Sequence, residues 1–314
     1  MKLLIDADFT VYKSCSAAET EIDWGDDTIL VTSKFSDAMG ATKRELTKIQ
    51  NKFGSFSDII LFFSDSVNFR KKILPDYKGH RNRKKPCGYK RVINKLKEEY
   101  EVILMPTLEA DDSMGIYSTQ YPGNMIVSPD KDMKQIPGQL YNFDETFTVN
   151  KDDGAKWHLI QSLAGDQTDG YGGVPGIGVK RAEALFKEKG YSWKTVVNAF
   201  KDRDLSEEDA LVNARLAKIL TKDDYDFTKN RPILWSPSSD TKLTLEQDLK
   251  MRVIRDKITE GYYDNKDEII EVFMALQKQN FILGNSLTNL VKHWPHEEIF
   301  LIHSSQGIPL KIQT

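Results

Sequence analysis

Five short runs that are apolar throughout, several of them ending in acids, constrain this chain more than any other feature. They are LLID from Leu3, DIILFFSD from Asp58, EVILMP from Glu101, NMIVSPD from Asn124 and QLYNF from Gln139. A strand apolar on both faces must be buried on both, which is the condition of a parallel sheet covered by helices on each side. The stretches between the runs supply those helices. Residues 35–52 and 88–100 have helical composition, and 109–120 opens with three acids, as a helix amino terminus favours. The expected class is α/β, with a mostly parallel sheet flanked by helices.

In open α/β sheets the ligand crevice lies at the carboxyl ends of the strands. Asp6, Asp65, Asp130 and Asp132 fall at or just after such ends, and Glu109, Asp111 and Asp112 open the helix after the EVILMP strand. GDQTDG adds Asp166 and Asp169, three apart and read as facing one way from a single helical turn. Any one of these acids is more often a loop residue or a helix cap. Nine at recurrent junctions within the first 170 residues are a different matter. Unit charges 4 Å apart repel by about 4 kcal/mol at an effective dielectric of about 20, so such a cluster needs a counter-charge. An oxygen-only donor set suits magnesium or manganese better than zinc. Two such ions, roughly 3.5 to 4 Å apart, can activate water and stabilise the leaving oxygen in phosphodiester hydrolysis.

The net charge of −3 does not announce a nucleic-acid partner, but its distribution does. Between Arg70 and Arg91 stand ten basic residues (Arg70, Lys71, Lys72, Lys78, Arg81, Arg83, Lys84, Lys85, Lys90, Arg91) against Asp76, a local charge of +9 that leaves −12 for the rest. This segment leaves the acidic rim just after Asp65, where it would draw a phosphodiester backbone by counterion release. Tyr77 is read as stacking on a base or packing locally, and Lys78 and Arg81, three apart, as two cations converging on one phosphate. With 39% hydrophobic and 29% charged residues the composition is that of a globular protein, and no window approaches the roughly 18 apolar residues of a membrane span. A cytoplasmic location is the expectation. Cys15 and Cys87, 72 residues apart, match no disulfide framework or zinc spacing.

Beyond Lys151 the pattern turns helical. GVPGIGVK, residues 173–180, offers backbone amides at a helix start to a phosphate, and Ala182, Leu185 and Phe186 share a face of the helix that follows. A further helix is expected over 205–220, capped by Ser206 with Asp209. After a linker at SPSSDT, Asn265 with Glu268 caps a stripe of Ile269, Val272, Phe273 and Leu276. His293 and His296 form an HxxH pair with no third ligand and are read as surface residues.

LLIDAD, SDSVNFRKKILPDYKGHR, LEADD, SPDKDMKQIP and GDQTDGYGGVPGIGVKR, in this order and spacing, resemble the flap endonuclease superfamily of 5′ nucleases, and SDSVNFRK, KKPCGY and GDQTDGYGG resemble its short bacteriophage 5′→3′ exonucleases. The resemblance implies a PIN-like sheet, a helical arch over about 69–85, and a helix-hairpin-helix that grips duplex DNA. It assigns Asp6, Asp65, Glu109, Asp111 and Asp112 to a first metal and Asp130, Asp132, Asp166 and Asp169 to a second; Asp8 departs from the family pattern, which has an uncharged residue there, and is read only as a supporting acid. It makes Lys78 and Arg81 phosphate-steering cations of catalysis, and Arg70, Lys71, Lys72, Tyr77, Arg83, Lys84 and Lys85 DNA-binding residues of the arch. Gly176, Gly178 and Lys180 become the duplex grip, with a potassium ion. The implied substrate is DNA with a 5′ end, whether duplex, nicked, gapped or flapped, and RNA–DNA hybrid, in phage-type replication or recombination. The expected organisation is a nuclease core over 1–150, a DNA-binding subdomain over 151–235 and a C-terminal extension over 236–314 open to replication partners. A PIN-type endoribonuclease and a non-catalytic DNA scaffold are the competing readings.

Overall fold

The computed structural model describes residues 1–237, apart from 55, 57, 82 and 83, and two short strands at 299–302 and 309–312. Two compact units are separated between Ser236 and Pro237. In chain order the first contains β1 (Lys2–Asp6), α1 (Ala7–Ala17), β2 (Glu19–Asp23), β3 (Ile29–Ser33), α2 (Phe35–Lys52), β4 (Asp58–Phe62), α3 (Tyr89–Glu99), β5 (Glu101–Ile103), α4 (Ala110–Gln120), β6 (Met125–Val127), β7 (Gly138–Tyr141) and β8 (Thr146–Val149). It continues through α5 (Lys151–Ala164), β9 (Gly165–Asp166), β10 (Tyr171–Gly172), α6 (Val179–Lys189), α7 (Trp193–Lys201), α8 (Glu207–Ala217), β11 (Tyr225–Asp226) and β12 (Arg231–Pro232). β13 (Ile299–Ile302) and β14 (Pro309–Ile312) form an antiparallel pair in the second unit.

The main sheet has the order β5-β4-β1-β6-β7-β8, parallel except for β8. Its central strands β1, β4 and β6 are apolar on both faces because both faces are covered. Leu3, Ile5, Ile59, Leu61, Met125 and Val127 join a core completed by α1, α2 and α3. Leu4, Ile60, Phe62, Ile126 and Leu140 point the other way, onto Ala110 and Met114 of α4. The chain runs from β1 out through β4 to β5, then returns to β6 on the opposite side of β1. This reversal opens a crevice at the carboxyl ends of β1 and β6.

A second core lies among α5, α6, α7 and α8, around Leu163, Phe186, Val196, Phe200 and Ala214. Ala182 and Phe186 are buried there and Leu185 half-buried, on the shared face that the spacing predicts. Ser206 and Asp209 form the expected capping box of α8. Within this helical part the chain packs backbone to backbone where Gly173 passes Ala164; a Cβ on Gly173 would lie 2.2 Å from the Ala164 carbonyl carbon.

Three local expectations are corrected. Asp166 and Asp169 lie not on a helical turn but at the ends of the tight turn joining β9 and β10. The described part of 69–85 is not helical beyond the 3-10 turn Phe69–Lys72, and Lys78 adopts a left-handed backbone with φ 56°, which interrupts helical spacing to Arg81. The sequence reading also left the exposed β2–β3 hairpin unseen. The helix expected from Asn265, the HxxH pair at 293–296 and Arg83 lie outside the described residues. Among the described residues no helix is long and apolar enough to cross a membrane.

Candidate active site

Asp6 ends β1 and caps α1, its Oδ1 accepting from the Phe9 amide at 3.1 Å. Its Oδ2 accepts from the Ser128 hydroxyl at 3.1 Å, and Ser128, just past β6, also accepts from the Asp130 amide at 3.2 Å. Asp6 and Asp130 are thereby drawn to one crevice from adjacent strands. Glu109 and Asp111, at the start of α4, close its other side.

The electrostatics show that these acids share one space. Burial pushes Asp6 up to about 7, with the charges of Asp8 and Asp130 adding to it. Burial raises Asp111 well above the carboxylate range, reinforced by Asp130, Asp6 and Glu109. Asp130 faces solvent over part of its surface yet sits deep enough that burial raises it, and Asp169 pushes the same way. Asp132 is pushed up to about 7 by burial and then by Asp130. Two sub-clusters emerge, Asp6–Glu109–Asp111–Asp130 and Asp130–Asp132–Asp166–Asp169, with Asp130 common to both.

The protein's own cations fill part of this cleft. Lys78 donates to Glu109 and lies 3.6 Å from Asp169 Oδ2. Burial works against its charge, but Glu109 and Asp169 outweigh that and raise its pKa. The Arg81 guanidinium donates to Asp169 Oδ1 at 2.6 Å and to the Thr168 carbonyl at 3.0 Å. The Lys78 amide donates to the Asp169 carbonyl at 2.8 Å, which stitches the basic segment to the β9–β10 turn. Lys131 reaches Asp166 Oδ2 at 2.6 Å and Asp132 Oδ1 at 3.8 Å. Burial would raise Asp166, but the Lys131 and Thr168 hydrogen bonds hold it below its ordinary value.

The nine acids therefore do not converge on one point. Among the described residues no three His, Cys, Asp or Glu side chains form a ready metal cage, and lysines stand between the acids instead. Asp112 is corrected outright. It is fully buried and paired with Arg70, whose Nη1 and Nη2 reach its two oxygens at 2.6 and 2.9 Å. The five N–H groups of Arg70 are matched by Asp112, Glu109 and the carbonyls of Leu216 and Lys218. Arg70 is 1% exposed and is a structural cation, not a phosphate contact. Tyr77 is likewise buried, stacked on Tyr171, its hydroxyl 2.8 Å from Asp169 Oδ2 and 3.1 Å from Glu109 Oε2, so no base can stack on it. Asp65 is stapled by the amides of Ser66 and Thr107, both at 2.7 Å, the latter chiefly holding its pKa low.

Lys71, Lys72, Lys84 and Lys85 are exposed, as are Gly176, Gly178 and Lys180. Gly176 has φ 79°, and Gly178 caps α6 with open space where a side chain would stand. Sequence reasoning missed Ser128 and Gln161, which donates to Asp132, and it passed over Lys131. Only for Lys131 was a signal present, its place between Asp130 and Asp132. Asp8 ties the Ser64 amide to the Tyr89 hydroxyl, both at 2.7 Å, and so braces the crevice from outside.

A hard-cation site fits what is present. The Asp111 Oδ1 atom is buried without a hydrogen-bond partner, and the donors around it are carboxylate oxygens.

A PIN-like α/β sheet with an acid crevice at its switch point sets the class of the protein as a nuclease. Residues 2–156 match the family model of the 5′-3′ exonuclease N-terminal, resolvase-like domain. The chain is 28% identical to the exodeoxyribonuclease of Enterobacteria phage T3, over 76% of this chain and 93% of that one. It is also 28% identical to the exonuclease of Escherichia phage T7, over 75% and 93%. The fold resembles that of the T5 D15 protein co-crystallized with metal ions, with a TM-score of 0.55 and 16% identity over 69% of this chain and 89% of that one.

Proposed function

We propose that this chain hydrolyses DNA phosphodiester bonds from 5′ ends, as a divalent-metal-dependent 5′→3′ exonuclease with flap-type 5′ nuclease character. The observation that carries the reading is the crevice of Asp6, Asp111, Asp130 and Asp132, four carboxylates whose pKa values are raised together and one of which has an orphaned buried oxygen. Carboxylates raised together in this way need a counter-charge if they are to ionise together at neutral pH, and a divalent ion among them would supply more of it than the lysines already there. The names of the phage relatives, exodeoxyribonuclease and exonuclease, support the same chemistry. So does the T5 D15 flap endonuclease, crystallised with DNA and metal ions.

Asp6, Glu109, Asp111 and Asp130 would hold one magnesium or manganese ion, and Asp130, Asp132, Asp166 and Asp169 a second. When bound, such ions supply an activated water and charge stabilisation at the leaving oxygen. The residues of this chain do the rest. Ser128 orients Asp6 and Asp130 together, and Gln161 orients Asp132. Lys78 and Arg81 exchange their carboxylate partners for the incoming phosphate and counter its charge in the transition state. Exposed Lys71, Lys72, Lys84 and Lys85 collect the 5′ strand, and Gly176, Gly178 and Lys180 meet the duplex backbone beside it, with a potassium ion at that turn. RNA–DNA hybrids and a role in replication belong to the same proposal.

The test is Asp130→Ala with Asp132→Ala, assayed on 5′-labelled blunt, nicked, gapped and flapped duplexes in magnesium, with circular dichroism to confirm folding. Cleavage should fall at least about a hundredfold on every substrate. Undiminished cleavage overturns the assignment, and product lengths separate exonucleolytic from flap cutting.

A further inference from the structure

Among the described residues Lys78, Arg81 and Lys131 enter the acid cleft beside the buried Arg70, and they are not equivalent. Lys78 and Arg81 come from the basic segment and share Asp169. Lys131 comes from between two of the acids themselves, on the 3-10 turn Lys131–Gln135 that Asp130 caps by accepting from the Asp132 amide at 2.8 Å. Its ammonium lies 2.6 Å from Asp166 Oδ2 and 3.8 Å from Asp132 Oδ1, so it bridges carboxylates of two different elements. It is also half exposed, its side chain at 49% against 1% for Arg70, so it can swing into water without a large desolvation change. Lysine is a compact point charge on a flexible stem, suited to stand where another compact cation will later stand.

We propose that Lys131 is a built-in counter-ion of the cleft, holding Asp166 and Asp132 together in the metal-free protein and giving way when a divalent ion binds there. The inference rests on the metal-dependent reading above. An ammonium and a divalent ion cannot share the space between the same two carboxylates, because their repulsion acts over the same few ångströms as the attractions that bind them. The ion must therefore break the Lys131–Asp166 pair, and the cost of doing so lowers its affinity. In exchange, the empty protein is spared two adjacent uncompensated carboxylates. Lys131 is thus a positioning residue that sets metal affinity, and it trades that affinity for stability of the empty state.

The test uses the full chain and manganese alone, with free ion counted by electron paramagnetic resonance at fixed ionic strength for wild type, Lys131→Met and Lys131→Arg. Melting in a chelator and in manganese is measured on the same samples. Lys131→Met should bind manganese about tenfold tighter. It should also melt lower than wild type in chelator and gain more from manganese. Lys131→Arg, which keeps the charge, should stay near wild-type affinity. Equal or weaker manganese binding by Lys131→Met, with normal binding by wild type, overturns the counter-ion role and leaves the nuclease reading standing. A wild-type protein that binds no manganese overturns both.

Discussion

The Arg70–Asp112 pair allows the most quantitative prediction, because sequence and structure assign Arg70 opposite places. The perturbation is Arg70→Ala. Asp112 is fully buried, and it would lose the two guanidinium bonds at 2.6 and 2.9 Å, keeping only the Leu220 amide at 3.2 Å and the Glu109 amide at 3.4 Å. Breaking a buried pair by removing one partner costs about 3–5 kcal/mol, since the other charge is left in a low dielectric. The stranded carbonyls of Leu216 and Lys218 add about 1–3 kcal/mol each where water cannot reach them. Even the lower figure is a large share of a typical stability of about 5–15 kcal/mol. The assay is urea unfolding in chelator for wild type, Arg70→Ala, Asp112→Asn and the double variant. The singles should each lose at least about 3 kcal/mol and the double much less than their sum, with a coupling above about 2 kcal/mol. An Arg70→Ala protein within about 1 kcal/mol of wild type, but with weakened and less salt-dependent DNA binding, would refute the buried pair and restore Arg70 as a phosphate contact.

Gly173→Ala places a Cβ 2.2 Å from the Ala164 carbonyl carbon and should cost more than about 3 kcal/mol, whereas Gly178→Ala meets nothing within 4 Å. Gly178→Ala should leave the melting temperature unchanged and weaken duplex affinity. His158, buried against the Ala214 carbonyl at 2.9 Å, is held down to about 4 from 6.5 by burial and then by Lys218. The unfolded chain takes up a proton below 6.5 that the native histidine refuses, so its contribution is present above that pH and lost as pH falls toward 4. The stability difference between wild type and His158→Gln should shift against wild type by about 2 kcal/mol between pH 7.5 and 5. Asp6 and Asp132, raised to about 7, act in the opposite sense. In chelator their contribution is present below 3.8 and lost as pH rises through 7. Divalent ions should reverse that loss, and affinity for them should fall as pH drops below 7, because protons compete for the same oxygens; a pH-independent manganese affinity would contradict this.

Much of the fold was legible in the chain because its signals are local. Runs such as 3–5 and 59–62, apolar on every residue, declare burial on both faces, and alternation along β1 places Leu3 and Leu4 in opposite cores as that requires. The Ser206–Asp209 cap and the Ala182–Phe186 face depend on spacings of three and four, which a helix alone enforces. The acids were legible as a set through their recurrence at strand ends. Their division of labour was not. Asp111 and Asp112 are neighbours in sequence and equal in chemistry, yet one carries an orphaned oxygen in the crevice and the other is neutralised inside the core. Adjacent helix residues point about 100° apart, and which direction holds an arginine is fixed by carbonyls more than a hundred positions away, at Leu216 and Lys218. Lys131 and Ser128 acquire meaning only when β1, β6 and the β9–β10 turn converge. Pattern and composition determine which segments are buried; long-range packing decides which charges meet, because electrostatic energy depends on distance in space and not along the chain.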